Sequence, residues 1–160
     1  MFLPSITIIK LNRMSIWKTP ISAELFTRFN GKTLGDSLGM EFVESGDDYL
    51  TMRMPVDHRT VQPMRLLHGG ASVALAETLG SMAGLFCVDD PDTQAVVGVE
   101  INANHLRSVR EGSGFVYGTV RPVRVGKTIQ VWNIEIKDER DHLVCVSRLT
   151  CAVVKRRNND

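Results

Sequence analysis

The chain has no surplus of charge. Nineteen Lys and Arg face eighteen Asp and Glu, a formal net charge of +1 over 160 residues. That balance excludes a general nucleic-acid-binding surface and an acidic solvating tail, and leaves room only for a local cluster that meets a small polyanion. Cysteine is scarce as well. Cys87, Cys145 and Cys151 are odd in number, sit in apolar surroundings and lack the Cys-x-x-Cys spacing. They point to reduced, buried thiols in a cytoplasmic protein rather than to a disulfide framework or a zinc site. The four histidines, His58, His68, His105 and His142, are scattered, so no metal or other cofactor is expected. No Gly-x-Ser-x-Gly elbow is present, which disfavours serine-hydrolase chemistry. Internal repeats and low-complexity segments are missing too.

The apolar run near the N-terminus has no basic region before it and no small-residue cleavage site after it, so it is not read as a signal peptide. Met14 opens Met-Ser-Ile-Trp-Lys, and residues 1–15 are read as a flexible N-terminal extension. A single domain over 16–154 and a polar tail over 155–160 complete the chain, whose length suits one compact core.

Ser22 is a good N-cap for a short helix to Asn30, with Leu25, Phe26 and Phe29 at helical spacing. Two strands, 40–44 and 49–54, flank the turn Ser45-Gly46-Asp47-Asp48, and a loop follows over 55–65. Residues 66–88 hold one formally charged side chain, Glu77, among many Ala, Gly and Leu. The segment reads as a helix apolar all round, which has to be buried. A membrane span of that length is disfavoured, because a central carboxylate costs about 2.5 to 3.5 kcal/mol there. Val97, Val99, Ile101 and Ala103 then alternate with Gly98, Glu100, Asn102 and Asn104, as in a strand with two faces. Three further strands, 115–121, 127–137 and 143–154, are joined by turns at Gly126-Lys127 and 138–142. The pattern predicts an α+β domain in which an antiparallel sheet wraps one long buried helix.

On that helix Gly70, Ala74, Glu77, Ser81 and Gly84 share a stripe, and all except Glu77 are small. Such a stripe admits a backbone or a ligand, and burial pushes the lone carboxyl toward the range of a general base. A structural salt bridge from Glu77 to an arginine of the sheet is the competing expectation. His68-Gly69-Gly70 stands where loop becomes helix. Unpaired N–H groups and the positive dipole end can hold an oxyanion there, although the glycines can equally serve close packing, and His68 can be purely structural. After the next strand, His105-Leu106-Arg107-Ser108-Val109-Arg110 concentrates donors, and Arg107, Ser108 and Arg110 are candidates to meet phosphates.

The run from Gln62 to Ser81 resembles the signature of the hotdog-fold acyl-CoA thioesterases, in the branch that hydrolyses aromatic acyl thioesters. It reads Gln62-Pro63-x-x-Leu66-Leu67-His68-Gly69-Gly70-Ala71-Ser72-Val73-Ala74-Leu75-Ala76-Glu77-Thr78-Leu79-Gly80-Ser81. The similarity extends to Met-Pro-Val-Asp-x-Arg-Thr at 54–60, to 97–105 and to Gln130-Val131-Trp132. Members of this branch serve quinone and enterobactin synthesis. The resemblance implies Glu77 as the catalytic carboxylate, with the Gly69 N–H and the Gln62 side chain polarising the thioester carbonyl beside His68. Ser81 would position the water or the carboxylate. From the residues themselves, His105 stands with the Arg107, Ser108 and Arg110 donors as a substrate contact, and Met82 offers adaptable apolar surface for the acyl group if it lines the space beside Glu77. The resemblance also implies acyl-CoA as partner, a site between two subunits and a homodimer at least, extending to a homotetramer, with neither nucleic acid nor membrane involved. The chain departs from the family pattern at Met64-Arg65, where an aromatic residue followed by glycine is expected. Other functions consistent with the fold are proofreading of acyl-loaded carrier protein, dehydration of acyl thioesters and non-catalytic acyl-CoA sensing.

Overall fold

The computed structural model describes residues 15–156; residues 1–14 of the expected extension and 157–160 of the expected tail lie outside the described residues. Two helices, α1 (Ala23–Asn30) and the single turn α2 (Leu34–Ser37), precede strands β1 (Glu41–Ser45) and β2 (Leu50–Pro55). The long helix α3 (Gly69–Phe86) follows, and then strands β3 (Gln94–His105), β4 (Phe115–Val125), β5 (Ile129–Asp138) and β6 (Leu143–Lys155). All six strands form one antiparallel sheet in the order β1-β2-β4-β5-β6-β3, so β3 is an edge strand. Helix α3 packs across one face of it and touches every strand from β2 to β6.

Local chemistry explains most element boundaries. Ser22 caps α1 by accepting the Leu25 N–H at 3.1 Å, and Thr33 caps α2 in the same way. Four residues leave no periodicity to read, which is why α2 is invisible in the sequence. Helix α3 is shorter than 66–88 because Leu66 and Leu67 bridge Arg110 and Val61 in extended pairing. At its far end the N–H groups of Lys18 and Thr19 both donate to Phe86 O, at 2.8 and 3.1 Å, and cover a carbonyl the helix leaves open. Trp17, beside them, donates its indole N–H to Gly46 O at 2.6 Å and stacks on Trp132 with ring centroids 6.5 Å apart.

The core lies between α3 and the sheet. Leu75, Ala76, Leu79 and Ala83 are completely buried against Met52, Val116, Val120, Ile134, Ile136 and Leu149. Each buried leucine contributes roughly 1.5 to 3 kcal/mol. Cys87, Cys145 and Cys151 are buried and unpaired, and burial pushes the Cys87 thiol up to about 12.

Strand β3 differs from the expected alternation. Its register against β6 shifts between Gly98 and Glu100, a β-bulge. Val97 and Val99 are consequently 46% and 63% exposed on the sheet edge. Gly98 pairs with the buried Cys151, Ile101 with the buried Leu149 and His105 with the buried Cys145. The helix-facing set is thus Gly98, Ile101, Ala103 and His105, because one extra residue inverts the parity of a two-residue repeat.

Close approach of α3 to the sheet depends on Gly80, where a Cβ would collide with the fully buried Leu149. Gly80→Ala gains about 1 kcal/mol of helix propensity and loses about 1 to 3 kcal/mol by overpacking. Leu149 is enclosed on all sides, so overpacking should win. Urea unfolding should show a lower midpoint at unchanged slope, and a raised midpoint would contradict this packing.

Candidate active site

The N-terminus of α3 is organised by His68. Its backbone is extended, with φ −72° and ψ 131°, and its imidazole Nδ1 accepts the Gly70 N–H at 2.8 Å. An accepting Nδ1 leaves the ring proton on Nε2. The His68 carbonyl takes the N–H groups of Ala71 and Ser72. Among the described residues no acceptor meets the Gly69 N–H, which leaves that donor open at the positive end of the helix. A side chain on Gly69 would press on the His105 ring, 2.8 Å from its Nε2, so the glycine lets the imidazole lie over the helix start.

The loop before the helix aims Gln62. The Gln62 N–H donates to Leu66 O and the Arg65 N–H to Gln62 O, both at 2.8 Å. The side-chain oxygen of Gln62 accepts the Met64 N–H, which leaves its amide NH2 as the end available to a ligand. Arg65 adopts φ +59°, the left-handed conformation that glycine takes freely. The strain, about 1 to 2 kcal/mol for a residue with a side chain, is offset in part by the Glu111 carboxylate, which receives Arg65 Nε at 2.6 Å. The pair is exposed, so it returns at most about 1 kcal/mol. The Glu111 N–H also donates to Arg65 O at 3.0 Å. The loop thereby keeps a glycine-like shape with an arginine in place.

These pieces converge on a groove of about 350 Å³, lined by Gln62, Leu66, Leu67, Gly69, Ser72, His105, Leu106, Arg107, Ser108 and Val144. It has apolar walls and a few convergent donors, as small-molecule sites do. A wider groove of about 640 Å³, lined by Tyr117, Thr119, Arg121, Glu135, Lys137 and neighbouring acidic residues, offers almost only polar and charged side chains. It is a poor seat for an acyl group.

Glu77 stands outside the first groove. It follows Gly69 by eight residues, about 12 Å along the helix axis. Its carboxylate lies over Gly98 on the edge strand, at the bulge. Burial pushes the Glu77 carboxyl up, and a hydrogen bond from Ser81 pulls it part of the way back. Among the described residues no basic side chain pairs with Glu77, so the competing salt bridge is not formed there. Glu77 and Ser81 also neighbour Cys151, whose thiol is pushed up to about 11 by burial and then by the Glu77 charge.

Of the expected site residues, Gln62, Gly69, His105, Arg107 and Ser108 share one groove, and Glu77 and Ser81 share a second location further along α3. His68 serves as the helix cap. The Arg110 backbone pairs with Leu66, and its exposed side chain is not part of the groove wall. Met82, expected to face an acyl group, is built into the core at 8% exposure. Ser72, 1% exposed, and Gly98 were missed. Ser72 could have been found as the residue one turn past His68, whereas Gly98 is hidden by the inverted parity of β3.

The family model described as the thioesterase superfamily matches residues 64–145. The chain is 50% identical over 139 residues to the 1,4-dihydroxy-2-naphthoyl-CoA hydrolase of Escherichia coli, covering 87% of this chain and 99% of that protein. It is 48% identical over 139 residues to the proofreading thioesterase EntH of Cronobacter turicensis, covering 87% and 98%. A crystal structure of a thioesterase from Haemophilus influenzae superposes with a TM-score of 0.83 at 44% identity, covering 90% of this chain and 99% of that one. With its six-stranded antiparallel sheet packed on one long helix, the chain belongs to the thioesterase superfamily and is an enzyme of the hotdog fold.

Proposed function

We propose that the protein hydrolyses acyl-CoA thioesters, preferring aromatic acyl groups, in a site assembled from two copies of the chain. The observation that carries this reading is the half-buried carboxylate of Glu77, held without a counter-charge on a helix whose start presents an open N–H donor. In one chain those groups are too far apart to act on one carbonyl. The separation supports a pairing in which Glu77 of one copy meets Gln62 and Gly69 of the other. Strand β3 is the free sheet edge nearest Glu77, and its exposed Val97 and Val99 are apolar surface of the kind that edge-to-edge pairing covers. In such a dimer, a homodimer that can pair again into a homotetramer, each carboxylate crosses toward the other helix start.

In that arrangement the Gly69 N–H and the Gln62 amide polarise the thioester carbonyl and stabilise the oxyanion that forms when it is attacked. Glu77 either attacks the carbonyl carbon, giving a mixed anhydride that water then hydrolyses, or removes a proton from an attacking water. Both routes release the CoA thiol, and both need the carboxylate ionised. Ser81 orients it. Arg107 and Ser108 at the groove rim, with Arg110 beyond, suit the CoA phosphates. An aromatic acyl group matches the groove's apolar walls; the E. coli relative's name records a naphthoyl substrate. Among the described residues no helix is long and apolar enough to cross a membrane.

Glu77→Gln should leave the fold intact and lower kcat for benzoyl-CoA by at least about a thousandfold; turnover within a few-fold of wild type would overturn the assignment. The same variant reports on the raised carboxyl. Near the ordinary Glu value the unfolded chain ionises first while the folded chain still holds its proton, so wild-type stability falls as pH rises until the folded value is passed. Glu77→Gln removes that loss. Its melting temperature should exceed that of wild type at neutral pH, and the gap should shrink as pH falls toward and below the ordinary Glu range.

Arg107→Ala and Arg110→Ala should raise KM for CoA thioesters with little change in kcat, since phosphate contacts bind substrate and transition state alike. A pantetheine thioester should be much less affected, and equal losses on both substrates would make these arginines structural. For acyl preference, kcat/KM for benzoyl-CoA should exceed that for acetyl-CoA and for a medium-chain acyl-CoA. A higher value for either aliphatic substrate, or for an acyl-loaded carrier protein, would reassign the substrate while leaving thioester hydrolysis in place.

A further inference from the structure

We propose that Gly98 is a positioning residue for the active-site carboxylate: its lack of a side chain is what lets Glu77 settle between α3 and the sheet edge. The proposal rests on the reading of Glu77 as the catalytic carboxylate.

Gly98 is the helix-facing residue of β3 immediately before the bulge, paired with Cys151. A Cβ at this position would collide with Glu77 Oε1 and lie 3.0 Å from Cδ and 3.3 Å from Oε2. Its three nearest neighbours are therefore all atoms of one carboxylate. The backbone does not call for glycine, because φ at Gly98 is outside the left-handed range, unlike that at Gly39, Gly112 and Gly114. Glycine inside a strand is also locally unfavourable. The atoms nearest that space belong to the carboxylate. Its cross-strand partner Cys151 is fully buried in β6, and what a Cβ at Gly98 meets is the far end of a flexible side chain, so a side chain there displaces Glu77. Because a glutamate can swing on three side-chain torsions, that displacement is conformationally cheap. The fold should tolerate the substitution and the chemistry should not.

The test is Gly98→Ala beside wild type and Glu77→Gln, with melting temperature, steady-state kinetics on benzoyl-CoA and NMR titration of the 13C-labelled Glu77 carboxyl. Gly98→Ala should melt no lower than wild type, keep KM within about threefold and lose about a hundredfold in kcat. Its Glu77 carboxyl, moved away from the sheet edge, should titrate closer to the ordinary Glu range than in wild type. If Glu77→Gln is inactive while Gly98→Ala keeps both kcat and the wild-type titration, the Gly98 role is overturned and the catalytic reading stands. A Gly98→Ala chain that does not fold also overturns it, since the strain would then lie in the backbone. If Glu77→Gln retains activity, the catalytic reading fails, and the titration still decides whether Gly98 seats the carboxylate.

Discussion

Helix α3 carries a single carboxylate through a region that is otherwise uncharged, and the sheet has to accommodate it. Everything else on the helix favours burial: Leu75, Leu79 and Ala83 are sealed completely, and Gly80 brings the backbone within reach of Leu149. A charge on such a helix would ordinarily be neutralised by a basic partner, because an isolated buried ion is expensive. Here it is not. The edge strand bulges, a glycine opens a space beneath the carboxylate, and the Ser81 hydroxyl supplies one hydrogen bond. The compromise leaves Glu77 half-buried, with its carboxyl raised but accessible from the sheet edge.

The same helix sets the second half of the arrangement. His68 ends the loop by bonding back to the Gly70 N–H, which fixes where α3 begins and leaves Gly69, in the groove wall, with no acceptor for its N–H among the described residues. The loop before it is held by backbone hydrogen bonds around Gln62 and by the Arg65–Glu111 pair. Gln130 extends this logic to the other end, where its buried side chain donates to Gly84 O and accepts from the Trp132 indole, both at 3.3 Å. One end of α3 is thus tied to its loop and the other to the sheet, and the seven residues between Gly69 and Glu77 form a rigid spacer. Rigidity is what makes the separation meaningful, because a stiff helix cannot fold its carboxylate back onto its own first turn.

Much of this was legible in the sequence. An apolar stretch with one acid, opened by His-Gly-Gly, specifies a buried helix and where it starts, and the turn residues at 45–48 and 138–142 mark where neighbouring strands join; the crossover that puts β3 at the edge is seen only in the structure. Gln62 and Gly69 were singled out through the family resemblance, and Arg107 and Ser108 as donors clustered after a strand; that these residues and His105 line one groove is seen only in the structure. Other features left no local signal. The bulge after Gly98 inverts which residues of β3 face the helix, and period-two reading cannot see one inserted residue. Met82 looked available because helix faces were assigned from spacing alone, whereas it is 8% exposed and part of the core. Arg65 looked like a loop alteration, and only its φ of +59° shows that it takes the conformation a glycine would.

The central claim is that Glu77 of one copy works with Gln62 and Gly69 of another. Mixing Glu77→Gln with Gln62→Ala chains, after denaturing and refolding them together, tests it directly. Refolded alone, each variant should be nearly inactive; in an equal mixture, heterodimers carry one intact site out of two, and activity should recover to about a quarter of wild type. Recovery no greater than the average of the two separate variants would contradict the shared site and place the whole reaction within one chain.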